Sequence, residues 1–82
     1  MKTALVTGAS RGIGAACARE LARAGWAVAV NYRSSREKAE AVAAQIRQEG
    51  GVALAIPGDI GDPEQVEALF RTAETELGSV EV

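Results

Sequence analysis

A compact apolar run, Ala4-Leu5-Val6, leads straight into Thr7-Gly8-Ala9-Ser10-Arg11-Gly12-Ile13-Gly14, and an apolar-periodic segment follows. A strand, a tight glycine turn and a helix start in that order leave few folds open. The turn must be sharp, and the glycines let its backbone approach another group closely. The N–H groups of the first helical turn have no partner inside the helix, so they face whatever sits there. An ordinary strand-to-helix turn needs one glycine. Three glycines with Thr7 and Ser10 exceed that need and describe a cradle for phosphate.

The rest of the chain repeats the alternation. Thr3 to Thr7 reads as a buried strand. From Gly12 the apolar positions Ile13, Ala16, Cys17, Leu21 and Ala24 fall on one helical face, and Gly25 is placed to cap its end. Trp26-Ala27-Val28-Ala29-Val30-Asn31-Tyr32 is nearly apolar throughout, as a parallel strand covered on both faces requires. Ser34-Ser35-Arg36-Glu37 has the form of a capping box, with Ser34 as the cap and Glu37 reaching back. The helix it opens carries Ala39, Val42, Ala43 and Ile46 on one face and stops at Gly50-Gly51. Val52 to Ile56 is a third strand, closed by Pro57-Gly58. Asp62-Pro63-Glu64-Gln65 combines a cap, a proline at the first helical position and a glutamine in the third. Val66, Leu69, Phe70, Ala73 and Leu77 continue at helical spacing to Gly78, and Val80-Glu81-Val82 begins another strand. Trp26 and Phe70 read as core, and the charges on the second and third helices as solvated faces.

This order, β-α-β-α-β-α-(β), predicts an α/β fold: a Rossmann-like doubly wound parallel sheet, truncated at the start of the fourth strand. In that topology the first strand lies between the second and the fourth. A fourth strand of three residues leaves one side of the first barely paired. Residues 1–82 therefore read as the N-terminal part of a single NAD(P)-binding Rossmann domain.

Composition narrows the partners. In 82 residues, 48% hydrophobic and 24% charged, there is material for one small globular domain. A formal net charge of −2 offers no basic field for nucleic acid or an anionic membrane. No apolar run approaches the roughly 18 residues that span a bilayer, and the expected setting is soluble and cytoplasmic. With no histidine and the single cysteine Cys17, neither a metal site nor an internal disulfide is expected. Cys17, on the expected apolar face, reads as a buried inert thiol.

Two arginines bear on which nucleotide the cradle would hold. The spacing Gly8-x-x-x-Gly12-x-Gly14 differs from the commoner Gly-x-Gly-x-x-Gly, and no Gly-Lys-Ser/Thr ending follows, which disfavours a nucleoside-triphosphate loop. Arg11 stands at the start of the first helix, where the macrodipole disfavours a cation by about 0.3–1 kcal/mol unless an anion is bound. Sites for NAD place an acid at the end of the second strand, about 20 residues beyond the loop, to accept from the ribose 2′-hydroxyl. Here Asn31-Tyr32-Arg33-Ser34 carries none. Arg33 and Ser34 suit a 2′-phosphate, so NADP(H) is expected over NAD(H). Arg33 also stands one helical turn before Glu37, a pairing worth about 0.2–0.5 kcal/mol. Asp59, after the third strand, reads from sequence alone as a turn residue at the ligand-binding edge.

Thr7-Gly8-Ala9-Ser10-Arg11-Gly12-Ile13-Gly14 resembles the cofactor-binding motif of the classical short-chain dehydrogenase/reductase family. Asn31-Tyr32-Arg33-Ser34-Ser35 and Gly58-Asp59-Ile60 also look like segments of that family, and the likeness runs the length of the chain. The 3-oxoacyl-carrier-protein reductases and related sugar or alcohol dehydrogenases are the members it most resembles. The resemblance implies that Gly8, Ser10, Arg11, Gly12, Ile13 and Gly14 surround the phosphates and ribose of the cofactor. By the same resemblance Asn31, Tyr32, Arg33 and Ser34 border its adenosine half, and Asp59 and the Ile60 backbone contact the adenine. Gly61 stands where the family often has Ser or Thr.

The same family implies an NADP(H)-dependent oxidoreductase that reduces a small-molecule carbonyl or oxidises an alcohol, homo-oligomeric at full length. It also implies a catalytic Asn, Ser and Tyr-x-x-x-Lys. The single tyrosine, Tyr32, is followed four residues on by Arg36, so no catalytic residue is assigned within this chain. The expectation is the cofactor-binding N-terminal fragment of such an enzyme. A standalone, non-catalytic nucleotide-binding module is the alternative.

Overall fold

Strands and helices alternate through β1 (Thr3–Val6), α1 (Gly12–Arg23), β2 (Ala27–Tyr32), α2 (Arg36–Gln48), β3 (Val52–Pro57) and α3 (Pro63–Leu77). The computed structural model describes residues 2–8 and 12–82. The three strands are parallel in the order β1-β2-β3. Thr3 to Val6 pair with Ala27 to Val30, and Ala27 to Tyr32 with Val52 to Pro57. On the free edge of β1, Val80 bridges to Thr3 in parallel. Glu81 N–H donates to the Thr3 carbonyl at 2.9 Å and Leu5 N–H to the Val82 carbonyl at 2.6 Å. The expected fourth strand thus begins where a doubly wound sheet places it, with β1 between it and β2.

All six residues of β2 are buried, because helices cover both faces of the sheet. Alternate side chains serve opposite layers. Val28, Val30 and Tyr32 pack with Ala15 and Ala18 of α1 and with Ala39, Val42, Ala43 and Ile46 of α2. Ala29 faces the other way, onto Ile56 of β3 and Leu69 and Ala73 of α3. Each of the larger side chains, Val28, Val30 and Leu69, is fully buried, and each such burial contributes about 1.5–3 kcal/mol.

The helix ends follow their sequence signals closely at the C-terminal side. Gly25 N–H donates to the Ala22 carbonyl at 3.0 Å and Trp26 N–H to that of Leu21 at 3.1 Å; Gly50 and Gly51 repeat the pattern on Arg47 and Ile46, at 3.0 and 2.9 Å. These paired reverse bonds satisfy carbonyls that the helix leaves open and turn the chain back to the sheet. Asp62 caps α3, its Oδ1 accepting from Glu64 N–H at 3.0 Å, with Pro63 in the first turn. On the exposed side, hydrogen bonding to Glu20 and the charge of Glu49 hold the Arg23 guanidinium above its usual pKa.

The structure corrects several of these expectations. β1 ends at Val6, and Thr7 already belongs to the turn. The buried face of α1 is not Ile13-Ala16-Cys17-Leu21-Ala24. Ala15 and Ala18 are buried with Leu21 and Ala22 beside them, while Ile13 is 84% exposed. Ala16, Cys17 and Ala24 face outward, so Cys17 is an accessible thiol. Small side chains let the helix lie close against the strands, and the packing selects the alanine stripe over the stripe with the larger residues. The α2 cap position is Ser35, not Ser34, and no side chain caps it. Its ψ of 63° departs from the extended backbone that aims a capping hydroxyl at the first turn. Phe70 is 41% exposed, because α3 meets the sheet through the narrow Leu69–Ala73 stripe and Phe70 falls to one side of it. β3 takes in Pro57, paired with Tyr32, a position open to proline because β3 is an edge strand. Trp26 stands just before β2, half-buried against the core, with the Lys2 ammonium 5.6 Å from its ring centroid.

Candidate functional site

The carboxyl ends of the parallel strands meet at one edge of the sheet, and three chain segments cross there. The first is the turn after β1. Gly8 has φ 61° and Gly12 φ 63°, a left-handed backbone that a side chain strains. Among the described residues, a Cβ built at either glycine would meet no atom within 4 Å, so backbone conformation, rather than packing against them, is the reason for these glycines. Ile13 projects outward from the first turn of α1, and Gly14 is half-buried. Ser10 and Arg11 lie outside the described residues.

The second segment is the end of β2. Asn31 is buried, and its Nδ2 donates to the carbonyls of Ile56 and Gly58, both at 3.2 Å. It therefore secures the chain leaving β3. The Tyr32 side chain is enclosed in the core beneath α1 and α2, and its carbonyl accepts from Gly58 N–H at 3.0 Å. Both residues shape the edge from below. Arg33 and Ser34, by contrast, are exposed. With Ser34 released from the expected capping role, Ser34, Ser35, Arg36, Glu37 and Lys38 line a shallow hollow of about 390 Å³ at the start of α2.

The third segment follows β3. Asp59 Oδ1 accepts from Gly61 N–H at 2.8 Å, and Asp59 N–H donates to Gln65 Oε1 at 2.8 Å. Gln65 also donates to Asp62 Oδ2 at 3.2 Å, tying the loop to the first turn of α3. Ile60 is 57% exposed. It joins Leu5, Thr7, Val66, Leu69, Phe70 and Val82 around an apolar groove of about 360 Å³ on the α3 side.

Arg33 Nε stands 3.7 Å from Asp59 Oδ2. The structure so joins two of the residues singled out from sequence, and it pairs Arg33 with Asp59 and not with Glu37. Gln65 was visible in the sequence only as part of a helix start. Its second role, fixing Asp59, depends on a loop length that composition does not reveal. Phe70 and Val66 at the groove also escaped notice, since helical spacing alone assigned them to the core.

Known proteins resemble this chain over nearly its full length. The family model for short chain dehydrogenases matches residues 2–82. A 3-oxoacyl-acyl-carrier-protein reductase from Staphylococcus aureus is 47% identical over 81 residues, which are 99% of this chain and 33% of that protein. The crystal structure of a dehydrogenase/reductase from Sinorhizobium meliloti superposes with a TM-score of 0.94 at 49% identity, covering 98% of this chain and 32% of the other. A metagenomic short-chain oxidoreductase solved in complex with NADP gives a TM-score of 0.89 at 37% identity, over 99% of this chain and 36% of its own. The chain thus spans about a third of the length of the proteins it matches. Among the described residues, no helix is long and apolar enough to cross a membrane.

Proposed function

Because this chain belongs to the short-chain dehydrogenase family, we propose that it is the N-terminal, cofactor-binding part of an NADP(H)-dependent oxidoreductase acting on a small carbonyl or alcohol. The observation that carries the proposal is the gathering of three segments at one sheet edge: the open glycine turn, the Arg33-Ser34 pair and the Asp59-Ile60 loop. Open sheets bind ligands at this edge. The residues present fit such a cofactor. Among the described residues nothing lies within 4 Å of a Cβ built at Gly8 or Gly12, which supports a close approach of a pyrophosphate there, and the N–H groups at the start of α1 favour an anion. Ser10, Arg11, Ile13 and Gly14 complete the cradle in this reading.

Preference for a 2′-phosphate rests on the end of β2. Arg33 is exposed and cationic, Ser34 makes no side-chain hydrogen bond among the described residues, and the adjacent start of α2 has no side-chain cap. Asn31 and Tyr32 support this rim through the bonds to β3, and Asp59 and Ile60 border the adenine. NADP as the bound partner of a neighbour of 37% identity supports the same choice. When bound, the cofactor supplies or accepts the hydride. This chain's residues hold and orient its adenosine and phosphate half.

Tyr32, the single tyrosine, is enclosed in the core and lacks a lysine four residues on, which supports placing the proton donor outside this chain. The substrate-binding and catalytic parts belong, in this reading, to sequence equivalent to the remaining two thirds of the relatives. Calorimetric titration of the chain with 2′-phosphorylated and unphosphorylated adenosine nucleotides tests the reading. Tighter binding of the 2′-phosphorylated ligand is expected; equal affinity, or none for either, overturns it.

A further inference from the structure

Asp59 is held more firmly than a loop carboxylate needs to be. Its backbone N–H is bonded to Gln65 at 2.8 Å, its carbonyl accepts from Asp62 N–H at 3.0 Å, and its Oδ1 closes the turn onto Gly61 at 2.8 Å. These three bonds fix the orientation of the second carboxylate oxygen. Oδ2 is left facing the end of β2, and there Arg33 Nε meets it at 3.7 Å. The partners are unequal: the Arg33 side chain is 79% exposed and the Asp59 side chain 34%. A mobile cation has been given a fixed anionic resting place, on the edge where a nucleotide would lie.

We propose that Asp59 is a specificity-determining residue that sets the strength of 2′-phosphate preference by acting as a resident competitor for Arg33. This rests on the NADP(H) reading above. A guanidinium bound to a carboxylate and one bound to a phosphate use the same N–H donors. Arg33 and Oδ2 form an ion pair at 3.7 Å, so a 2′-phosphate competes with the carboxylate for the same cationic charge. The energy of that contact therefore opposes the phosphorylated ligand and leaves the unphosphorylated one untouched. In the absence of ligand the pair also keeps Arg33 above the strand ends, so the cation is in place but discounted. The two carboxylate oxygens separate the roles cleanly. Oδ1 builds the loop; Oδ2 tunes the charge.

Asp59→Asn keeps the Oδ1 acceptor for Gly61 and removes the charge facing Arg33. Titration of the 82-residue chain with adenosine 5′-monophosphate and its 2′-phosphorylated form should show the ratio of the two affinities rising about two- to fivefold in favour of the phosphorylated ligand, the equilibrium factor carried by one exposed ion pair. An effect of the substitution at the adenine border is common to both ligands and cancels in that ratio. The gain should shrink near 1 M salt, where the Debye length falls to about 3 Å. In an Arg33→Ala background the same substitution should leave the ratio of the two affinities unchanged, because no contact with Arg33 remains to be released. Far-UV circular dichroism checks the fold of each variant, and Asp59→Ser, whose hydroxyl also reaches Gly61 N–H, repeats the test if the asparagine variant is unstable. If the wild type prefers the 2′-phosphate and Arg33→Ala abolishes that preference, an unchanged or lower preference in Asp59→Asn overturns this proposal alone. If the wild type has no such preference, the cofactor reading falls and this proposal with it.

Discussion

Arg33 Nε lies 3.7 Å from Asp59 Oδ2, an ion pair that links the end of β2 to the loop after β3. The register explains why the two meet. Tyr32 pairs with Pro57 at the last rung of the sheet, so the residue after Tyr32 and the second residue after Pro57 leave the same edge together. Being mostly exposed, the pair contributes little to stability, within about 0–1 kcal/mol. Its consequence is electrostatic: it decides how much positive charge the strand edge presents.

Reversing that charge should reverse the preference of the site. Arg33→Glu removes the donor for a 2′-phosphate and supplies an acceptor for a ribose 2′-hydroxyl, beside the carboxylate of Asp59. The loss of a hydrogen bond to a charged group is worth about 1.5–3 kcal/mol, so binding of a 2′-phosphorylated adenine nucleotide should fall by at least tenfold. The unphosphorylated nucleotide should bind as well as before or better. Thermal unfolding should be nearly unaffected, since the Arg33 side chain is 79% exposed. Parallel titrations with the two nucleotides measure the inversion.

The orientation of α1 gives a sharper test of packing. Ala18 is fully buried, whereas Ala16 faces solvent. Ala18→Leu must force extra methyl groups between helix and sheet and should destabilise by about 1–3 kcal/mol. Ala16→Leu should stay within about 0.5 kcal/mol. Urea denaturation of the two variants compares them directly. The same geometry makes Cys17 accessible, so a thiol reagent should modify it in the native chain at a rate close to that in denaturant. Slow labelling, or equal destabilisation by the two leucines, would contradict this helix face.

These contrasts show where the sequence carried the fold and where it did not. Alternation of strand and helix, the glycine-based helix ends and the Asp62 cap were legible because each depends on a few adjacent residues. The face of α1 was not. Alanine and other apolar residues occur around its whole circumference, and only contact with β2 decides that Ala15 and Ala18 turn inward. Ser34-Ser35-Arg36-Glu37 fits a capping box by spacing, yet the ψ at Ser35 keeps its hydroxyl from the first-turn N–H groups. At the candidate site, the glycine turn and Arg33 were readable from local chemistry. The Arg33–Asp59 contact joins residues 26 positions apart and exists only through the β2–β3 register.

The hinge between the Asp59 loop and α3 can be loosened without touching the ion pair itself. Asp62 caps the helix through Oδ1 and receives Gln65 through Oδ2. Asp62→Ala removes both bonds, and loss of an N-cap side chain costs about 0.5–2 kcal/mol. Gln65→Leu keeps the cap but takes away both the acceptor for Asp59 N–H and the donor to Asp62 Oδ2. Each of these exposed bonds is worth at most about 0.5–1.5 kcal/mol, so the substitution's effect on stability should not exceed that of losing the cap by much. It should have the larger effect on the loop, seen as faster amide hydrogen exchange at Asp59. If exchange there is unchanged, Gln65 is not what fixes Asp59.

Gly8 separates the stability of the fold from the opening of its edge. Its φ of 61° places it in the left-handed region, where an L side chain costs about 1–2 kcal/mol. Among the described residues a Cβ there would meet nothing within 4 Å, so Gly8→Ala carries the backbone cost without a clash against them. Denaturation should therefore show a loss of that size and no more. Under the proposed cofactor reading nucleotide binding should suffer further, because the added methyl group would stand where a pyrophosphate would approach the backbone N–H groups. Measured at a denaturant-free temperature where both proteins are fully folded, affinity for an adenine nucleotide carrying the pyrophosphate should fall by at least tenfold, a loss of about 1.4 kcal/mol. An adenosine ligand with only a 2′-phosphate does not reach the turn and should lose little. Equal losses for the two ligands would mean that the substitution acts on the whole edge, and the turn after β1 would no longer be the place where the pyrophosphate is held.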